Sequence, residues 1–452
     1  MIQDRRFPEG FLWGASTAAY QIEGSPLADN AEPSIWHRLT HTPGWIASGD
    51  TGDLASDHYR RFKEDVALMA EMGLQSYSFS IPWSRIIMGG HGIINTLGLD
   101  TYQHLIDALV EKGIKPVVTL YHWDLPAALQ DRGGWLNPDS PSWFADYAEV
   151  LFRALDDRVD HWITFNSPWA IAAQGHLEGT LAPGHRDLFE APRVGHNLLL
   201  AHAAAVAAYR SVGKHEIGLA VDIEPQHPAS RSYEDRAAAN RRDAYVNRWF
   251  LDPLLLGRYP EELISAFGEA WPEIDPADMN RIQAQTDFIG INYYTRGLVR
   301  ADPNVQPFGA SRIRMPGSFD SEMGWEIYPQ GLIEALLGFK DRYGKLPLYI
   351  TENGAAFADA PAIEGEVPDP ERIGFLRAHL RAARRAILAG ANLRGYFVRS
   401  LLDGFEWTQG YSKHYGLIHV DPDDQTRILK SSAQFYREVI SSNGESLSQE
   451  AS

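Results

Sequence analysis

Carboxylates, amides, a histidine and indole rings fall in short clusters along this chain, each just behind an apolar, β-prone run. Gln21 comes first, then His122-Trp123-Asp124, Asn166-Ser167, Asp222 with Glu224, and Asn292-Tyr293-Tyr294. Glu352-Asn353 and Arg399 with Asp403, Glu406 and Trp407 complete the series. Gathered in one place, they suit a hydroxyl-rich ligand. Polar groups bond ring hydroxyls, and Trp faces cover the apolar C–H face of a sugar.

The elements that would gather them are eight apolar runs: Phe11–Ser16, Ser76–Ile81, Lys115–Trp123, His161–Asn166, Ile217–Ile223, Asp287–Tyr294, Pro347–Thr351 and Leu393–Leu402. They are near-continuously apolar, as buried parallel strands are. Amphipathic stretches lie between them, among them Tyr59–Met72, Thr101–Lys112, Pro141–Leu155 and Pro370–Ala389. Eight strand–helix alternations predict an α/β fold of one domain, a (β/α)8 TIM barrel, with chemistry at the C-terminal strand ends. Segments 301–322 and 358–372 read as irregular, and a polar tail starts at about Ser441.

Composition removes other functions. The 452 residues carry 41 Lys+Arg against 59 Asp+Glu, net −18, which argues against nucleic acid or an anionic membrane. With no cysteine there is no thiol nucleophile, disulfide or Cys-based zinc site. No GxGxxG follows a strand and no GxxxxGK[ST] or HExxH occurs, so no nucleotide cofactor and no metal is expected. Neither a signal peptide nor an 18-residue apolar span is visible, which predicts a cytoplasmic protein. The oligomeric state stays open. Thirteen Trp suit stacking on sugar rings.

The clusters resemble glycoside hydrolase family 1, the retaining β-glucosidase family, over roughly residues 7–440. The resemblance rests on Phe7-Pro8-Glu9-Gly10-Phe11-Leu12-Trp13-Gly14-Ala15, on Tyr20-Gln21-Ile22-Glu23-Gly24, and on Tyr121-His122-Trp123-Asp124-Leu125-Pro126. Asn292-Tyr293-Tyr294, Ile350-Thr351-Glu352-Asn353-Gly354, Ser400-Leu401-Leu402-Asp403 and Phe405-Glu406-Trp407 continue it in order. It implies a β-glucosidase acting on small β-glycosides, with Glu352 as nucleophile and Tyr294 hydrogen-bonded to it. It also implies that Gln21, His122, Asn166 and Glu406 bind hydroxyls of the sugar being cleaved, with Trp407 a further sugar contact. Trp123 and Asn292 accompany them at the strand ends.

Three positions depart from the family. Its acid/base motif Thr-Phe-Asn-Glu-Pro reads Thr164-Phe165-Asn166-Ser167-Pro168 here. Retaining hydrolysis uses two carboxyl groups about 5–5.5 Å apart, and a Ser hydroxyl cannot serve as the acid near neutral pH. The family's Tyr-Arg-Phe-Ser reads Tyr77-Ser78-Phe79-Ser80, and its Trp before Ser-Leu-Leu-Asp is Arg399. Hydrolysis is therefore expected to be weakened or redirected. The alternatives are a non-hydrolytic sugar-binding pseudoenzyme, an engineered acid/base variant, or a glycosidase retuned for an acidic sugar through Arg399. Arg399 either returns a guanidinium to the pocket or points away. Asp222, where many relatives carry Asn, Glu224 on the same strand face, and Glu178 after the fourth strand are the candidate surrogate acids.

Overall fold

The structure is a computed structural model and describes residues 5–283, 285–359 and 365–448. The eight apolar runs form parallel strands: β1 (Leu12–Ser16), β2 (Ser76–Ser80), β3 (Lys115–Tyr121), β4 (His161–Asn166), β5 (Glu216–Asp222), β6 (Phe288–Asn292), β7 (Leu348–Asn353) and β8 (Leu393–Arg399). Each pairs with its neighbour in sequence, and β8 returns to β1 with Leu12 opposite Gly395, closing the barrel. Five runs end one to three residues earlier than the sequence suggests, among them those expected to reach Trp123 and Leu402. Trp123 takes φ +69° and turns the chain out after β3. After β8, Ser400 N–H donates to Tyr415 O instead of to a barrel strand.

Helices His58–Glu71, Thr96–Glu111, Ser140–Leu155, Glu190–Val212, Pro329–Tyr343, Pro370–Leu388 and Ser431–Ser441 cover the outside. The helix expected from Thr101 starts at Thr96, so Gly98 lies inside it. A Cβ on Gly98 would sit 2.0 Å from Arg85 O, so glycine serves close packing there. The β5–β6 connection carries helices Tyr233–Asp243, Trp249–Leu256 and Pro276–Ile282. Segment 301–322 is less irregular than its sequence suggests. Its Ala310–Arg312 pairs with Gly297–Ala301, which also pairs with Gln226–Pro228, making a small sheet over the barrel mouth. The polar C-terminal stretch is packed as far as it is described: Leu447 is buried and Asn443 O accepts from Phe7 N–H. Among the described residues, no helix is long and apolar enough to cross a membrane.

Val117, Ile163, Ala220, Phe288, Tyr349 and Phe397 fill the lower barrel as one apolar cluster. Each fully buried large side chain contributes roughly 1.5–3 kcal/mol. Above that layer, simple alternation would carry Ile163 to Phe165 and Tyr349 to Thr351 as the inward residues. Two bulges intervene. Between Ile163 and Asn166, β4 holds one residue more than the matching Gly218–Ala220 of β5. Between Ile350 and Glu352, β7 holds one more than Ile291–Asn292 of β6. A bulge re-aims the side chains beyond it. Phe165 packs outward against Trp135 and Phe144, and Asn166 and Glu352 meet inside the barrel.

Candidate active site

A cavity of about 230 Å³ opens at the C-terminal strand ends, lined among others by His122, Trp123, Ser167, Asp222, Glu224 and Asn292. Tyr294, Glu352, Arg399, Glu406 and Trp407 line its other side. Glu352 is buried at 6% exposure. Its Oε2 accepts from Tyr294 Oη–H, and its Oε1 accepts from Asn166 Nδ2 at 3.3 Å. The second Nδ2 proton of Asn166 goes to His122 Nε2 at 3.0 Å, which requires a neutral His122. Burial, reinforced by the Arg399 charge, pushes the His122 imidazole down to about 3. Asn166 Oδ1 accepts from Asn292 Nδ2 at 2.9 Å, so the amide is held on three sides.

Arg399 points into the pocket. Two residues beyond inward-facing Phe397, it lies on the same strand face. Its Nη2 donates to Glu406 Oε2 at 2.7 Å and to Gln21 Oε1 at 3.1 Å, and its Nε is 3.4 Å from Glu352 Oε2. The guanidinium also lies 4.9 Å over the Tyr415 ring. Arg399 of β8 thus places a cation beside Glu352. Burial pushes the Glu352 carboxyl above its ordinary value, and Arg399 and the Tyr294 bond pull it back down. Two carboxylates share one cation, so this floor is net negative when both are ionised.

Gln21 and Asn166 support the floor without lining the cavity. Gln21 Nε2 donates to Glu406 Oε2 at 2.9 Å, so Arg399 occupies both groups of the Gln21–Glu406 pair. Trp407 packs 4.7 Å from Trp123 and 4.5 Å from Trp36, which presents an indole wall to the cavity. Asp124, Asn353 and Asp403, members of the same sequence clusters, face elsewhere. Asp403 pairs with Lys430 at 2.8 Å, and Asn353 Nδ2 donates to Tyr293 O at 2.6 Å.

Ser167 sits at the upper edge of β4, its N–H bonded to Ala220 O at 2.9 Å, beside the end of β5. Its Oγ donates to Asp222 Oδ1 at 2.8 Å and accepts from Asn292 Nδ2 at 3.0 Å. Asp222 is half-buried at the cavity wall. Burial and the nearby Glu352 and Glu224 charges push its carboxyl up to about 7, against the Ser167 and Asn292 bonds. The other two surrogates fare differently. Glu224 lies beyond the end of β5 rather than on its face, because the strand stops at Asp222. It lines the cavity but is paired with Arg312 at 3.1 Å and accepts from Gln226 Nε2 at 2.9 Å. Glu178 is not a cavity-lining residue and accepts from Tyr245 Oη–H at 3.2 Å.

Sequence reasoning missed Tyr415 and Trp325, which line the cavity from the connections after β8 and β6, and Trp169, which lines it from the start of the helix after β4. The abundance of Trp was the only signal for the two indoles, and Tyr415 had none. Arg242 and Arg312 line the outer part of the same cavity.

Comparison with known proteins agrees with this geometry. The family model described as Glycosyl hydrolase family 1 matches residues 3–445. Beta-glucosidase A of Thermotoga maritima is 48% identical over 444 residues, covering 97% of this chain and 99% of that protein. Beta-glucosidase A of Acetivibrio thermocellus is 44% identical, covering 97% and 99%. The solved family 1 β-glucosidase from T. maritima superposes with a TM-score of 0.95 over 97% of this chain and 98% of that one. The same enzyme with glucoimidazole, 48% identical, also gives 0.95, covering 97% and 100%. With its closed barrel, its Glu352 at the end of β7 and a family match over nearly its whole length, this chain belongs to glycosyl hydrolase family 1 as a β-glucosidase-like glycoside hydrolase.

Proposed function

We propose that this protein hydrolyses small β-glycosides, β-glucosides among them, with retention at the anomeric carbon and Glu352 as the nucleophile. The observation that carries the reading is the Glu352 carboxylate itself. It stands at the cavity floor with Tyr294 and Asn166 fixing its two oxygens and the Arg399 Nε at 3.4 Å. Fixed donors orient a nucleophile, and a neighbouring cation favours its ionised form. The T. maritima relative is solved with glucoimidazole and with deoxynojirimycin, which supports a glucose-like ring in this cavity. His122, Asn292 and Glu406 are placed to bond its hydroxyls, and Trp407 with Trp123 to cover its apolar face.

Electrostatics argues against an acidic sugar. Arg399 is already shared by Glu406 and Glu352, and Arg312 farther out is paired with Glu224. A ligand carboxylate would therefore have to compete with Glu352 and Glu406 for the one inner guanidinium. Arg399 also competes with a neutral sugar for Gln21 and Glu406, which favours weaker ground-state binding than in a family member carrying Trp there.

The test is turnover of 2,4-dinitrophenyl β-glucoside, whose leaving group needs no acid, followed by proton NMR of the sugar as released. The expected first product is the β-anomer. Release of the α-anomer would exclude retention. Binding of glucose with no turnover of this substrate would make the protein a sugar binder instead.

A further inference from the structure

The structure supplies a replacement for the missing carboxylic acid. We propose that Asp222 is the general acid/base of this enzyme and that the Ser167 hydroxyl is its positioning partner. This rests on the retaining reading above and adds the group that reading lacks.

The register places it. Asp222 of β5 lies opposite Asn292 of β6, and Asn292 lies opposite Glu352 of β7. Asp222 and Glu352 thus flank one strand at one level of the barrel. With strands about 4.8 Å apart, their backbones are about 10 Å apart, and inward side chains converge toward the axis. Such convergence can bring carboxyl groups toward the separation of about 5–5.5 Å that retention requires. Because β5 lies nearer to β7 than β4 does, a short Asp can take the place of a longer Glu at position 167.

The hydrogen bonds fit this role. Ser167 Oγ–H holds Asp222 Oδ1 at 2.8 Å, and Asn292 holds Ser167 in turn at 3.0 Å. Ser167 thereby anchors one carboxyl oxygen of Asp222 at the cavity wall. The groups facing Asp222 are Ser167 just beyond β4, Asn292 on β6, Glu352 on β7 and Glu224 beyond β5, with cavity-lining Arg242 and Arg312 farther out. The two carboxylates favour a protonated Asp222, and a value of about 7 suits a group that must give up and regain a proton near neutrality. Glu224 is committed to Arg312 and Glu178 faces Tyr245, so neither competes for the role.

The chemistry balances without any further reagent. Glu352 carboxylate attacks the anomeric carbon, the C1–O bond to the aglycone breaks, and the Asp222 proton passes to the departing oxygen. The aglycone leaves as an alcohol. Asp222, now a carboxylate, takes a proton from water. The water oxygen bonds to C1, the ester to Glu352 breaks, and Asp222 is again protonated.

The experiment compares an alkyl β-glucoside with 2,4-dinitrophenyl β-glucoside in the unmodified chain, in Asp222→Asn and in Asp222→Asn/Ser167→Glu. In Asp222→Asn, kcat/KM for the alkyl substrate should fall about 100-fold or more, and for the activated one by less than about tenfold. The basic limb of the alkyl profile, near pH 7 in the unmodified chain, should disappear. Azide should accelerate turnover of the activated substrate and yield β-glucosyl azide, which also shows that the variant is folded. The double variant should recover alkyl turnover at least tenfold over Asp222→Asn. Loss of less than threefold for the alkyl substrate, or an unmodified chain that cleaves only the activated one, overturns the role of Asp222 and leaves Glu352 standing. Failure of the unmodified chain on both substrates overturns the hydrolase reading itself.

Discussion

Replacing Arg399 by Trp removes the one inner cation and installs the ring that the family carries. The guanidinium contacts Glu406 at 2.7 Å, Gln21 at 3.1 Å and Glu352 at 3.4 Å. An opposite charge this close lowers a carboxyl pKa by about 1–3 units; shared between two carboxylates, its effect on Glu352 is taken as about 1–2. Burial already pushes Glu352 up, so the acid limb of kcat/KM, which follows ionisation of the free nucleophile, should move upward by about that amount in Arg399→Trp. Turnover of 2,4-dinitrophenyl β-glucoside on that limb should then fall by about 10–100-fold relative to the variant's own plateau. Stability should fall too, since stripping one partner from a buried pair costs about 3–5 kcal/mol. Glu352, stranded without its cation, is protonated as pH drops through its raised value, so the deficit should be largest at neutral pH and shrink on acidification. The assay is a pH profile of the activated substrate beside urea unfolding at pH 5 and 7. An acid limb moved by less than about 0.3 unit, with no loss of stability at pH 7, would refute the claim that Arg399 serves Glu352.

Ser167→Ala should lower alkyl β-glucoside turnover by about 3–10-fold, the worth of one hydrogen bond, and move the basic limb upward, because Asp222 loses a donor that favours its charged form. An unchanged limb would mean that Ser167 does not position Asp222. Lys430→Met should destabilise the fold by about 3–5 kcal/mol at pH 7 in urea unfolding, because Lys430 is fully buried between Asp403 and Asp359. Burial pushes the Asp403 carboxyl up, but Lys430, with His414 and His419, holds it well below its ordinary range. Its contribution is therefore complete above about pH 4 and fades as pH falls through the lower folded value, so the gap between variant and parent should narrow in acid. A gap that widens in acid would contradict this assignment. Glucuronide-type β-glycosides should be turned over more slowly than glucosides, because Arg399 is already engaged by Glu352 and Glu406, and a preference for the acidic sugar would show that Arg399 is free to take a ligand carboxylate.

The barrel was legible because parallel strands buried on both faces must read as apolar runs, and eight of them did. Their ends were less legible, since Trp123 and Ser400 leave the sheet through local turns rather than through a change of residue type. Glu352 and Asn166 were found by resemblance, but their inward aim depends on two extra residues in β7 and β4 that strict alternation does not reveal. Arg399 lay on the inward face by simple period from Phe397. Its choice of Glu406, Gln21 and Glu352 over solvent follows from three strand ends converging, which only the closed barrel provides. Asp222 was one of three surrogate acids in the sequence. The β4–β5 register, which sets Ser167 beside it, separates it from Glu224 and Glu178. Tyr415 and Trp325 come from loops with no periodicity to place them.

The central claim is that Glu352 forms a bond to the sugar. Incubation with 2,4-dinitrophenyl 2-deoxy-2-fluoro-β-glucoside, proteolysis and mass mapping test it directly. Glu352 should carry the fluoro-sugar in near-stoichiometric yield, and Glu352→Gln should abolish the label. A label on Glu406, Asp222 or any other side chain, or stoichiometric labelling that survives Glu352→Gln, would contradict the account.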